Sequence, residues 1–118
     1  MPKFNKTLLA IKLAKLHTAV FVALAHYVAA VGEYEDNVLA TKAVREENEQ
    51  VALKARNKLV MQMTKMRMTI QEFGQPGTTH AEIAGHKGLK SIYNGFREEL
   101  LEMDADFQTA RQIADTAN

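Results

Sequence analysis

The sequence predicts an all-α fold, an elongated bundle of three long amphipathic helices. Along three segments, apolar residues recur at alternating spacings of three and four residues, which is the period of a helix and not of a strand. Proline occurs only at Pro2 and Pro76, so little interrupts these segments. The 118 residues are expected to form one helical domain, 1–118. Its helices pack up-down-up, or form a hairpin that is completed by oligomerisation.

The first predicted helix covers about residues 5–31. Asn5 or Thr7 can cap its start, and Gly32 stands where a helix often ends. The sequence leaves open whether the first and second helices are continuous through Gly32. Its apolar stripe contains Leu13, Leu16, Val20 and Leu24. Further apolar residues widen this stripe, so the helix is expected to contact neighbours on more than one side. These are Leu8, Ile11, Phe21 and Val28.

The second predicted helix covers about residues 33–73, a rod of roughly 60 Å at 1.5 Å per residue. Its acidic first turn suits a helix N-terminus. Its stripe includes Leu59, Met63 and Met66. Met61 and Met68 fall off this stripe, so they are expected to be exposed or to meet another chain, while Met63 and Met66 fill the core.

A Gly-Pro-Gly cluster at 74–78 is the clearest break in the chain. The third predicted helix follows over about residues 79–114, with Thr79 and Glu82 at the spacing of a capping box. Its stripe is the most regular of the three and includes Leu89, Phe96, Leu100 and Phe107. The stripes of all three helices are candidates for core or oligomer contacts.

Charge is sorted into blocks along the chain. Residues 1–32 carry four lysines and no acid, whereas residues 33–49 carry six acids and two bases. If the helices fold up-down-up, basic blocks gather at one end of the bundle and acidic blocks at the other. The candidate basic patch consists of Lys54, Arg56, Lys58, Lys65, Arg67, Lys87, Lys90 and Arg97. Such a patch can bind phosphates, or the acidic end of another copy in rings or filaments.

Residues 79–97 resemble the first half of a helix-turn-helix motif. Glu82, Ile83 and Ala84 occupy first-helix positions, and Gly88 stands at the turn. The second half departs from the motif, because Asn94 replaces a core aliphatic residue. This resemblance implies DNA binding through segment 79–97. The favoured interpretation is that the segment simply begins a long bundle helix, because the apolar stripe runs straight through it.

The first helix also raises the question of a membrane. Residues 16–32 are uncharged, a run at the short limit for a membrane span, and the lysines before it give a signal-peptide outline. This stretch contains two histidines and five alanines, so a buried bundle helix is the favoured interpretation. Membrane association through this helix is a less favoured alternative. The location is left open, with a soluble, cytoplasmic or assembly-bound protein favoured over a secreted one.

No motif in the sequence indicates catalysis. There is no cysteine, the histidine spacings do not place two ligands on one helix face, and no glutamate is followed by a histidine three residues later. We therefore expect no enzyme activity, no metal, no cofactor and no small-molecule substrate. The leading hypothesis is a structural or assembly protein that forms a homo-oligomer or joins other subunits, as in a filament or virion. Nucleic-acid binding is the second hypothesis.

Overall fold

The computed structural model describes residues 6–73 and 80–117, with side chains at residue 8 and at 10–72 and 87–117. This part of the chain forms α1 (Lys6–Asp36), α2 (Lys42–Phe73) and α3 (His80–Thr116), and it contains no strand. The predicted all-α bundle is confirmed, and it measures 58 × 19 × 18 Å. The predicted break at 74–78 and the proposed capping side chains at 5, 7 and 79 lie outside the described residues.

The three helices run up, down and up. Residues 12–19 of α1 lie beside residues 65–72 of α2, while Tyr34 near the other end of α1 lies beside Arg45. These two helices are therefore antiparallel. His17 contacts Phe96, and Tyr34 contacts Phe107, so α3 runs parallel to α1.

The predicted stripes form the core of this single chain. Seven of the predicted positions are buried, and the other four are partly buried and pack against them. The buried ones are Leu13, Val20, Leu59, Met63, Met66, Leu100 and Phe107, and the partly buried ones are Leu16, Leu24, Leu89 and Phe96. Burying a large apolar side chain contributes about 1.5–3 kcal/mol. Because the stripes are covered within the bundle, contacts between copies would have to use other faces.

The methionines divide as the period predicts. Met63 and Met66 are buried, whereas Met61 and Met68 are half exposed. Two residues along a helix correspond to more than half a turn, so these pairs cannot share one face.

The end of α1 differs from the predicted one. The helix continues through Gly32 to Asp36, so the three acids at 33–36 form its last turn and not the first turn of α2. Continuation buries Tyr34, which packs edge-on against Phe107 at 5.3 Å. Asn37 then ends the helix, because its side-chain amide donates to the Glu33 carbonyl at 2.8 Å.

Residues 37–41 form the connection that separates α1 from α2. The hydroxyl oxygen of Thr41 accepts a hydrogen bond from the Val44 amide at 3.4 Å. This is the geometry of an N-cap, in which a side-chain oxygen satisfies an amide of the first turn.

No turn interrupts α3 at Gly88. Residues 80–116 are one uninterrupted helix that includes both Gly88 and Gly95. This is the long bundle helix that the sequence favoured over a helix-turn-helix, because the apolar stripe continues through the segment and outweighs the cost of glycine in a helix, about 1 kcal/mol each. A β-carbon at Gly88 or Gly95 would meet nothing within 4 Å.

These two glycines give a direct stability prediction. Gly88→Ala and Gly95→Ala should each raise the free energy of unfolding by about 0.5–1 kcal/mol, because alanine reduces the entropy of the unfolded chain and fits without a clash. Chemical denaturation of the single and double variants measures this. A loss of stability in both would show that the chain bends at these positions.

Candidate interaction surfaces

A polar layer joins the three helices at mid-length. Tyr27 of α1 donates a hydrogen bond from its hydroxyl to Asp104 of α3 at 2.6 Å. Arg56 of α2 donates two hydrogen bonds, from its Nε and a terminal nitrogen, to the two oxygens of the same carboxylate, each at 2.8 Å. This bidentate geometry is among the stronger side-chain interactions in proteins. We refer to Tyr27, Arg56 and Asp104 as the polar layer.

The polar layer changes the acidity of its members. Burial and the adjacent Asp104 carboxylate raise the pKa of the Tyr27 hydroxyl far above its ordinary value of 10.0. Burial on its own would raise the pKa of Asp104. The hydrogen bonds from Arg56 and Tyr27 outweigh burial, so the pKa of Asp104 lies below its ordinary value of 3.8. Asp104 is therefore ionised in the folded protein at neutral pH.

The predicted basic patch separates into two groups in the structure. Arg56 is held in the polar layer, and Lys54 and Lys58 lie two residues to either side of it, about 3 Å along the helix axis. These three are at mid-bundle. The other five predicted residues lie toward the end where α1 begins, together with two lysines of α1. We call this second group the basic half, and it contains Lys12, Lys15, Lys65, Arg67, Lys87, Lys90 and Arg97.

Two grooves open on the basic half. Between α2 and α3, a cavity of about 180 Å³ has Arg67 and Lys90 on its walls, with Tyr93 and Asn94 beside them. Between α1 and α2, a larger groove of about 540 Å³ has an apolar floor that includes Leu16 and Met68. Lys12, Lys15 and Lys65 line its rim, with Glu72. Among the described side chains, no member of the basic half forms an ion pair within 4.0 Å.

At the opposite end, two of the acids have basic partners within the chain. Glu49 pairs with Arg111 at 2.7 Å, and the Arg111 guanidinium also lies 5.1 Å from the centre of the Phe107 ring. Lys42 and Glu46 approach within 3.9 Å on the surface. Charge is thus compensated more fully at the acidic end than in the basic half.

The described residues contain no group of three or more His, Asp or Glu side chains that could hold a metal ion. His17 contacts the Phe96 ring at 5.3 Å, and both His17 and His26 are exposed. The side chains of His80 and His86 lie outside the described part.

The bundle leaves much apolar surface on α1 uncovered. Phe21 is 61% exposed, Ile11 48% and Val28 41%. The stretch Ala10–Asp36 is also long and apolar enough to cross a membrane, with a mean hydropathy of 1.4, although 33% of its most apolar window is buried in the bundle. A core helix of a soluble protein and a signal sequence near an N-terminus have the same length and composition, so this feature alone is weak evidence for a membrane span.

Comparisons with models of protein families, with curated proteins and with solved structures found no match for this chain.

Asp104→Asn should destabilise the protein at neutral pH by about 1–2 kcal/mol, since it removes a charged, partly exposed partner of Arg56. The pKa of Asp104 is lowered by folding, so its contribution is present above its ordinary pKa and is lost as pH falls through the folded-state value. The loss of stability on acidification below about pH 4 should therefore be smaller in the variant.

Denaturation curves between neutral and acid pH measure both effects. Asp106→Asn is the matched control, because Asp106 is exposed and lies two residues along the same helix. Equal behaviour of the two variants would contradict a structural role for the polar layer.

Proposed function

We propose that this protein is a non-enzymatic assembly protein that associates with further copies of itself. The observation that carries the proposal is the uncovered apolar surface of α1, together with the separation of charge along the bundle. Apolar surface of this kind, bordered by charged residues, is typical of protein interaction sites. A role as a subunit of a larger particle or filament, such as a virion, fits this activity.

The charge distribution supports association between copies. Antiparallel packing of α1 and α2 places the basic start of α1 beside the basic end of α2, and the acidic end of α1 beside the acids of α2. Like charges at the same end repel, which modestly opposes folding at low salt. Contact between the basic half of one copy and the acidic end of another would relieve this repulsion.

Association should therefore depend on salt. We expect sedimentation equilibrium to give a mass above one chain at low salt, with dissociation as salt is raised, because screening weakens attraction between exposed charges. Lys65→Glu with Lys90→Glu should raise the dissociation constant about tenfold or more, by placing acids opposite acids.

Lys54→Glu with Lys58→Glu is the matched control, with the same change at exposed mid-bundle lysines, and should have a smaller effect. Arg56 is left unchanged, because its reversal would disrupt the polar layer. A wild-type protein that remains a single chain at every concentration and salt would refute self-association.

A second candidate function is binding of a polyanion such as DNA to the basic half. The cavity that brings Arg67 and Lys90 together favours it, because two cations around one groove can contact adjacent phosphates. This mode would use helix surfaces, since the helix-turn-helix geometry is absent from α3.

Polyanion binding predicts a gel shift with duplex DNA that is strong at low salt and lost as salt increases. Replacing Lys87, Lys90 and Arg97 by alanine should weaken it uniformly across sequences. No shift of the wild type at low salt would eliminate this candidate.

A further inference from the structure

The outer face of α1 carries a second helical seam that the bundle leaves unused. Its seven positions alternate in spacing between three and four residues, as in a coiled coil. None is charged, six are exposed, and Gly32 is partly exposed. We call this set the outer seam, and it consists of Ile11, Ala14, Thr18, Phe21, Ala25, Val28 and Gly32.

We infer that the outer seam of α1 binds the outer seam of a second copy in antiparallel orientation. This rests on the proposed self-association and specifies the surface, the direction and the register. The interface is isologous and closes as a dimer, in which the two bundles lie side by side.

Charge selects the antiparallel direction. Lys12 and Lys15 lie in the first third of α1, while Glu33, Glu35 and Asp36 form its last turn. These acids lie at the C-terminal end of the helix, where the negative end of the helix dipole disfavours a negative charge. A parallel pair would place lysines beside lysines and acids beside acids. An antiparallel pair brings the positive N-terminal end of one α1 to the acidic end of the other.

Side-chain size selects the register. In one antiparallel register, Phe21 packs against Ala25 of the second copy, and Val28 packs against Thr18 of that copy. Gly32 then meets Ala14. Each larger side chain therefore faces a smaller one, which lets the helices approach closely and fills the interface. A shift by one heptad instead places Ile11 against Val28, or leaves fewer paired positions.

The same register brings opposite charges together at the edge of the seam. Lys15 and Glu33 are separated by 18 residues, about five helical turns, so they lie on the same side of α1. In an antiparallel pair with twofold symmetry, residues on the same side face each other. Lys15 then lies about 3 Å along the axis from Glu33 of the second copy, within reach of its side chain, and the pair occurs twice.

The structure also favours a protein over a lipid as the occupant. Insertion of α1 across a membrane would remove Val20, Tyr27 and Val31 from the core, all of which are fully buried. It would also place Tyr27 away from Asp104, its hydrogen-bond partner. Pairing through the outer seam leaves the core and the polar layer intact.

A charge exchange tests direction and register together. Lys15→Glu and Glu33→Lys should each weaken dimerisation about tenfold, because each places like charges at two symmetric sites. The double variant restores both pairs and should recover the wild-type dissociation constant. The two single variants should also associate when mixed, since each supplies the charge that the other lacks. In a parallel dimer, the double variant would not recover the wild-type dissociation constant, and the two single variants would not associate preferentially with each other.

Cross-linking tests the register independently, because the chain contains no cysteine. Thr18→Cys and Val28→Cys proteins should form a mixed disulfide under mild oxidation. Thr18→Cys alone should not, because its two sulfurs would be about 15 Å apart along the axis.

Phe21→Glu tests the surface, and Leu101→Glu is the matched control on α3, where Leu101 is 55% exposed. We expect Phe21→Glu to give a single chain with an unchanged circular dichroism spectrum, and Leu101→Glu to dimerise normally. A wild-type oligomer that is insensitive to Phe21→Glu and to both charge changes would overturn this inference and leave self-association standing. A monomeric wild type would refute both.

Vesicles of phosphatidylcholine and phosphatidylglycerol test whether the outer seam binds a membrane surface and not a second copy. Binding of a monomeric wild type to these vesicles, abolished by Phe21→Glu, would assign the outer seam to a membrane surface and overturn the proposal. No binding by the wild-type dimer supports it.

Discussion

The fold depends on the carboxylate of Asp104, which accepts hydrogen bonds from Tyr27 and Arg56 on the other two helices. Apolar stripes favour burial but tolerate sliding of one helix along another, because most apolar contacts have no direction. Hydrogen bonds require a short distance and a defined angle, so they are lost when one helix slides along another. The polar layer therefore determines how far along α1 and α2 the third helix lies.

That alignment has consequences at both ends of the bundle. It places the start of α3, with Lys87 and Lys90, beside the basic parts of α1 and α2. It also places Arg111 where it can pair with Glu49 at the opposite end. Two acids there, Glu46 and Glu49, form ion pairs inside the chain, whereas the bases of the basic half form none with the described side chains. This imbalance, together with the uncovered face of α1, is the basis on which we propose self-association.

Helical periodicity predicted the class of fold and the burial of individual residues, down to the division between Met63 and Met61. It did not predict that α1 continues through Gly32, because a local preference for ending a helix at glycine competes with the burial of Tyr34 against Phe107, a contact between residues far apart in sequence. At Gly88, in contrast, the regular stripe of α3 favoured a continuous helix, and the structure has one.

The candidate patch was predictable in part. From the sequence, Arg56 was assigned to the basic patch with Lys54 and Lys58. Its spacing is that of a residue facing the core, because it lies four residues after Ala52 and three before Leu59, both of which are buried. Asp104 likewise lies four residues after Leu100 and three before Phe107, which are also buried. An arginine and an aspartate that each fall among the buried positions of their helices are the sequence pattern that could have predicted this ion pair. The outer seam could not be distinguished from the core stripe until the structure showed which side of α1 is covered.

Small-angle X-ray scattering tests the lateral pairing of two bundles directly, because it measures mass and length together. One bundle extends 58 Å along its longest axis. We expect the mass to double with concentration while the maximum dimension remains close to that of a single bundle. A doubled mass with a nearly doubled length would show end-to-end contact and contradict lateral pairing, and a constant mass of one chain would contradict association altogether.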